Sequence, residues 1–420
     1  MATSKPPEAA RSEPKASGDQ SKPTAEAASD ARAGAALWGR GFRPFFLFGA
    51  LYASVGVPFW ITVWRGLLPA PGWLWPSAWH AHEMLFGVVA AAIAGFLLTS
   101  VPVWTSTTAV SGGPLAALFG LWLAGRLAMA GAGHLPPGLV AAVDLAFLPT
   151  LGFFLARALV PARQTRNLGF LGVIALLFLC NAATHAEALG IALRASQALR
   201  LAVDLVVVLI VVIGGRITPA FTHNALLREG IDAPVRERPW QARAAIAGAL
   251  GVALADLVAP RTHWSGALAL VAALAVAGRM AGWQTRRTLR DPLLWSLHKG
   301  LAWVVVGLAL VAVSDLTGRV PPHAGLHALS AGAMGAMVLA VMTRVALGHT
   351  GRALVLPSGA VGCYALVHLG ALLRVLAAAF PAAPPALLAT GGLLWAGAFA
   401  LYAARYAPIL WGPRVDGRPG

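Results

Sequence analysis

What most constrains this chain is a series of apolar stretches, several of them eighteen or more residues long with at most one charge, recurring from Pro44 almost to the C-terminus. A helix of that length crosses about 30 Å of hydrocarbon at about 1.5 Å per residue. The stretches are continuously apolar and lack the alternation of barrel strands, so helices are expected. No water-soluble core could hide them: of 420 residues, 58% are hydrophobic and 11% charged, and mean hydropathy is +0.71. The predicted fold class is all-α, a polytopic membrane bundle of about twelve transmembrane helices. The spans are predicted at roughly 44–64, 80–104, 114–133, 138–160, 167–190, 200–226, 240–259, 264–283, 293–316, 325–347, 357–380 and 385–407.

Residues 1–36 are rich in Ala, Pro, Ser, Lys and Glu without apolar periodicity, the composition of a disordered cytoplasmic tail. They lack the apolar core and cleavage site of a signal peptide, so the first span is expected to direct insertion. Residues 37–412 form the predicted transmembrane domain and 413–420 a short C-terminal tail. Arginine placement orients the bundle. With both termini cytoplasmic, inner segments carry Arg40, Arg43, Arg163, Arg166, Arg228, Arg236, Arg238, Arg286, Arg287, Arg290, Arg352 and Arg414. The outer loops carry little beyond Arg65, Arg194, Arg261 and Arg319.

The formal charge of +16 therefore reads as topology, and no basic, aromatic-interleaved surface suggests nucleic acid; the lipid bilayer is the expected partner. Loops of about fifteen residues at most leave no room for a nucleotide-binding domain, and no Walker or dinucleotide fingerprint occurs, which excludes ATP-driven transport by this chain alone. The two halves show no sequence match of the kind an inverted-repeat transporter would carry. Cys180 and Cys363 both fall inside apolar runs and read as small core residues, not a disulfide framework.

Chemistry is to be sought among the eleven histidines. His80, His82, His185, His323 and His327 project to one face of the membrane, and His223, His298 and His349 to the other. Ionisable groups inside a membrane are costly and usually face the bundle interior, so several helices offering imidazole at one depth is what a metal or haem site needs. A lone interfacial histidine is more often a hydrogen-bonded side chain than a ligand, and His134, His263 and His368 are set aside on that ground.

In Trp79-His80-Ala81-His82-Glu83-Met84, His80 and Glu83 share a helix face, whereas His82 is rotated about 200° from His80. One regular helix cannot present both imidazoles to one metal. Either the helix start is irregular or the two serve different partners. His323 and His327 share a face, but Pro321-Pro322 leaves His323 at or beyond the helix start, which favours His327. Met334, Met337 and Met342 follow; thioethers suit Cu(I), though methionine in an apolar helix is usually core filler.

Pro219 should kink the sixth span beside Arg216 and His223, the alternative being a helix end at Gly214. Arg126, Arg374 and Asp204 lie within apolar runs and each needs a partner. Haem propionates or an Arg–Asp pair between helices would serve equally.

Gly41-Phe42-Arg43-Pro44-Phe45-Phe46, Trp79-His80-Ala81-His82-Glu83-Met84 with Gly87, and Gly95-Phe96-Leu97-Leu98-Thr99 with Val101-Pro102 and Trp104-Thr105 resemble blocks of the NnrS family. So do Gly125-Arg126, Asn181 with His185, Gly215-Arg216 through Phe221-Thr222-His223-Asn224, and Met342-Thr343-Arg344 with Gly348-His349-Thr350-Gly351-Arg352. The likeness covers nearly the whole chain after residue 40. It departs at Val103, where a polar residue is more usual, and at Ser106, where glycine is.

The resemblance implies a multi-pass protein of a bacterial inner membrane that carries haem, b-type, and copper. It implies a role in the response to nitric oxide and nitrosative stress, with nitric oxide as ligand. Carried over by position, His80, His82, Glu83, His185, His223, His298, His327 and His349 become candidates for haem and copper ligation. Arg126 and Arg216 join them as cofactor contacts, with His80, His82, Glu83, His185 and His327 as the metal-ligand candidates. No catalytic residue is assigned. Two other functions fit: a nitric oxide reductase-type enzyme, against which stands the lack of paired histidines on a seventh helix, and a transporter of metal, haem or a small anion.

Overall fold

The computed structural model describes residue 1 and residues 36–191 and 194–418. The predicted N-terminal tail, Met1 and Ala36 apart, lies outside the described residues. Twelve helices among the described residues are long and apolar enough to span a membrane: α1 (Phe42–Trp64), α2 (Pro76–Thr105), α3 (Gly112–Ala130), α4 (Pro137–Leu159), α5 (Thr165–Ala188), α6 (Ala195–Arg228), α7 (Pro239–Val258), α8 (His263–Met280), α9 (Pro292–Thr317), α10 (Pro322–His349), α11 (Val361–Ala379) and α12 (Pro385–Trp411). Each overlaps one predicted span.

Several helices begin earlier than the apolar pattern suggests, because proline occupies the first turn. Its fixed φ and missing N–H suit that position, where amide donors have no intrahelical acceptor. Pro76 and Pro322 start α2 and α10 in this way. His80 and His82 consequently lie more than a turn inside α2, and His323 lies within α10 rather than before it. The sixth span does not end at Gly214: α6 is a single helix of 34 residues with Pro219 inside it.

Neighbours in sequence pack as neighbours in space, and α12 returns to pack on α1. Burial is uneven in a regular way. The most apolar windows of α2, α6 and α10 are 78%, 72% and 67% buried, whereas no other span exceeds 56%. Every fourth helix is therefore central, and these three touch one another.

Each of the three has a ring residue followed by threonine in its C-terminal half or at its end: Trp104-Thr105, Phe221-Thr222 and His349-Thr350. Each threonine hydroxyl donates to the carbonyl four residues back, at 2.8, 2.8 and 2.7 Å.

Two of the central helices carry the same irregularity. In α2, an α-helical start ending at His82 passes into seven residues of π-helix, Glu83–Val89. In α10, a start ending at His327 passes into π-helix over Ala328–Met334. A π turn inserts a residue into the ladder and re-aims the side chains around it, and such turns cluster at functional sites. Glycine sits at the fifth place of each π segment because a neighbour presses on it. A Cβ on Gly87 would lie 2.7 Å from Tyr52 Cε1, and one on Gly332 would lie 2.6 Å from Trp303 Cδ2.

Candidate metal centre and its surroundings

The deepest polar cluster joins five helices around the start of the π segment of α2. Arg126 of α3 donates from Nη1 to Glu83 Oε1 at 2.6 Å and from Nη2 to Asp144 Oδ1 of α4. Asn181 of α5 donates to Asp144 Oδ2 at 2.8 Å, which turns its carbonyl oxygen toward His82. His185, one turn further along α5, sets Nε2 2.9 Å from the same Oδ2. Tyr52 of α1 donates to Glu83 Oε2. All of these except Tyr52 are at most 4% exposed.

The hydrogen bonds of His82 define its state in this network. Nδ1 lies 2.8 Å from Glu83 Oε1, and Nε2 lies 2.8 Å from Asn181 Oδ1 and 3.2 Å from Asp144 Oδ2. Acceptors therefore face both ring nitrogens, as a doubly protonated imidazole requires. The charges agree: two carboxylates and one guanidinium leave a single negative charge, which an imidazolium balances.

His82, Asp144 and His185 each bring one ligand atom within 4.8 Å of the others. The contacts of 2.9 and 3.2 Å between the imidazole nitrogens and Asp144 approach the roughly 3.3 Å edge of a tetrahedron with metal–nitrogen bonds of about 2.0 Å. His185 Nδ1 is buried with no hydrogen-bond partner. Two imidazoles and a carboxylate fit a first-row transition metal such as copper, with Glu83, Asn181 and Arg126 as the outer hydrogen-bonding layer.

His80 is not part of this cluster. Its ring points to the other side of α2 and stacks on Trp60 of α1, with centroids 4.6 Å apart and planes 9° apart. Its Nδ1 is buried and unpartnered. Arg374 of α11 is within electrostatic reach of both His80 and His327. Among the described residues Arg374 has no carboxylate partner, so this second cluster is free of acids, the reverse of the first. Imidazoles from two facing helices beside a guanidinium fit a haem with an anionic propionate.

The opposite-face histidines stay apart. His298 is held by Thr222 and Thr285, both at 3.0 Å. Thr222 gives its proton to Thr218, so it accepts from His298 Nε2–H, and Nδ1 in turn accepts from Thr285. Both nitrogens are thereby used. His349 packs on Phe42, with ring centroids 5.9 Å apart, and its carbonyl accepts from Arg414. His223 is exposed and shares a cavity of about 480 Å³ with Arg216. Of the three set aside, His134 and His263 are exposed, and His368 accepts a hydrogen bond from Trp303 at 3.0 Å.

Where α2, α6 and α10 meet, a small apolar cavity of about 80 Å³ is lined by Ile93, Phe96, Ile210, Met334, Met337 and Met342, among others. The methionines are wall material here, and no histidine lines the cavity.

Sequence reasoning did not single out Asp144, the acceptor shared by Arg126, Asn181 and both imidazoles. The signal was present: a lone carboxylate in the apolar run Leu139–Phe147 satisfies the same rule that flagged Arg126 and Asp204. Asp204 serves elsewhere, near Arg200, which pairs with Asp256 at 2.7 Å. Ser106 follows α2 at φ +53°, a left-handed conformation that glycine adopts without strain.

The fold and its buried centres define the class: a polytopic helical membrane protein with an imidazole–carboxylate network among its first five spans. The family model described as NnrS protein matches residues 36–414, and the chain belongs to the NnrS family. No curated protein matches it.

Proposed function

We propose that this protein holds copper at His82, Asp144 and His185 and a b-type haem beside His80 and His327. In this reading it acts in the nitric oxide and nitrosative-stress response of a bacterial inner membrane, with both termini cytoplasmic. The observation that carries the reading is the separation of imidazoles across α2, one pair in an acid-rich network and the other in an acid-free one. Ferrous haem or Cu(I), when bound, supplies affinity for nitric oxide or its iron–nitrosyl products. Arg126 neutralises the carboxylates, Asn181 and Glu83 orient the His82 ring, and Trp60 fixes the plane of His80. The central cavity admits an uncharged diatomic and excludes ions. Arg216, His223, His298 and His349 are not part of either proposed centre.

Optical and EPR spectra with metal analysis, before and after nitric oxide, test this on protein purified from cells supplied with copper and haem. A Soret band and stoichiometric copper, both altered by nitric oxide, are expected; the absence of both would overturn the reading. The proton-bearing chain Tyr52–Glu83–His82–Asp144 favours a second function, a nitric oxide reductase. Its reaction joins two nitric oxide molecules with two electrons and two protons to give nitrous oxide and water. Nitrous oxide formation with a supplied electron donor distinguishes it from binding alone.

A further inference from the structure

The 480 Å³ cavity lies between α5, α6, α7, α8 and the α6–α7 loop, and none of the residues of the proposed centres lines it. Arg166 opens α5, Arg216 and His223 lie two turns apart on α6, Arg279 comes from α8, and Glu237 comes from the loop. Three guanidiniums thus face one carboxylate. Glu237 is fully engaged: it accepts from Arg279 at 3.0 and 3.3 Å and from Trp283 Nε1 at 2.5 Å. Arg279 is spent as well, donating to the carbonyls of Val211 and Gly215 at 3.2 and 2.6 Å. Gly215 makes this possible, since a Cβ there would lie 2.0 Å from Arg279 Nη1.

Arg166 and Arg216 remain. Arg216 has one hydrogen bond, to Asn167 Oδ1 at 3.2 Å, and lies over the Phe170 ring at 5.8 Å. Arg166 has no carboxylate partner among the described residues. Like charges converging on one cavity repel, and more so at the edge of a low-dielectric bundle, unless an anion joins them. Guanidinium forks match the oxygens of a phosphate, and His223 adds a further donor.

We propose that this cavity is a phosphate-binding site, gripped by Arg166 and Arg216 with His223 at its rim, and filled either by the headgroup of an anionic phospholipid or by free phosphate. The site is independent of haem and copper.

The test is thermal unfolding of the full-length protein in nanodiscs of phosphatidylcholine. Inorganic phosphate is titrated in one arm, and phosphatidylglycerol is included in the other. A rise in Tm in the first arm identifies free phosphate, and a rise in the second alone identifies the headgroup; either supports the site. Arg166→Gln and Arg216→Gln should each weaken the effective affinity on the order of tenfold or more, with Arg216→Lys retaining part of it. Arg405→Gln, on the exposed face of α12, should change nothing. Arg166 is exposed, so Arg166→Gln serves if Arg216→Gln fails to fold. No rise in either arm, or a full rise in both Gln variants, overturns the proposal. So does loss of haem from Arg216→Gln, which would place a propionate there.

Discussion

The two sides of α2 make opposite use of the same residue type. On the α4–α5 side, His82 enters a network in which every charge has a counter-charge and nearly every polar atom a partner. On the α10–α11 side, His80 and His327 sit with a guanidinium, an indole and no acid. The first side balances its charges without a ligand and can exchange a proton for a metal ion. The second is incomplete by itself, since a half-buried guanidinium without a counter-charge is stable only with an anion or water close by. Two residues of helix, just over half a turn, are enough to separate the two environments.

The largest expected difference is in stability. Arg126→Ala leaves Glu83 and Asp144 buried without their cation and should cost about 3–5 kcal/mol, seen as loss of folded protein in detergent. Arg374→Ala removes no ion pair and should leave yield and Tm near wild type while reducing haem content. If Arg374→Ala proved the more destabilising of the two, the contrast between the clusters would be wrong.

Cofactor content gives the next effect. Asp144→Asn keeps the shape of the network but removes a ligand charge and should weaken copper binding on the order of 10–100-fold, with the Soret band unchanged. His80→Ala should do the reverse. Loss of both cofactors from either variant would merge the two centres into one.

A milder test addresses the π segments. Gly87→Ala forces a methyl group against Tyr52 and should cost about 1–3 kcal/mol, and Gly332→Ala a similar amount against Trp303. Near-equal losses in thermal unfolding would support equivalent roles for the two segments. The smallest effect concerns protons. Copper uptake at an imidazole that already carries two protons should release at least one, so metal retention should weaken as pH falls. Copper release that did not depend on pH would contradict the doubly protonated His82.

The helical periodicity of the sequence was sufficient to set His80 and His82 apart, because residues two positions apart on a helix differ by about 200°. It could not say which way α2 is turned, so which imidazole meets carboxylates stayed open. Arg126 was legible as a group in need of a partner; that Glu83 and Asp144 answer it depends on how α2, α3 and α4 pack. The π segments left no mark that composition or hydropathy could register, since apolar residues fill a π turn as readily as an α turn. The opposite-face histidines share a depth in sequence, yet the fold points them into separate surroundings.

The sequence by itself determined the class of structure, the number of spans and the identity of the family, because crossing lipid demands a length and an apolarity that can be counted residue by residue. The tertiary structure alone decided which helices are central and which side chains meet, with Asp144 the clearest case. Contacts between polar groups depend on the rotation of each helix about its axis and on interrupted turns, and neither is fixed by an apolar pattern that looks the same on every face.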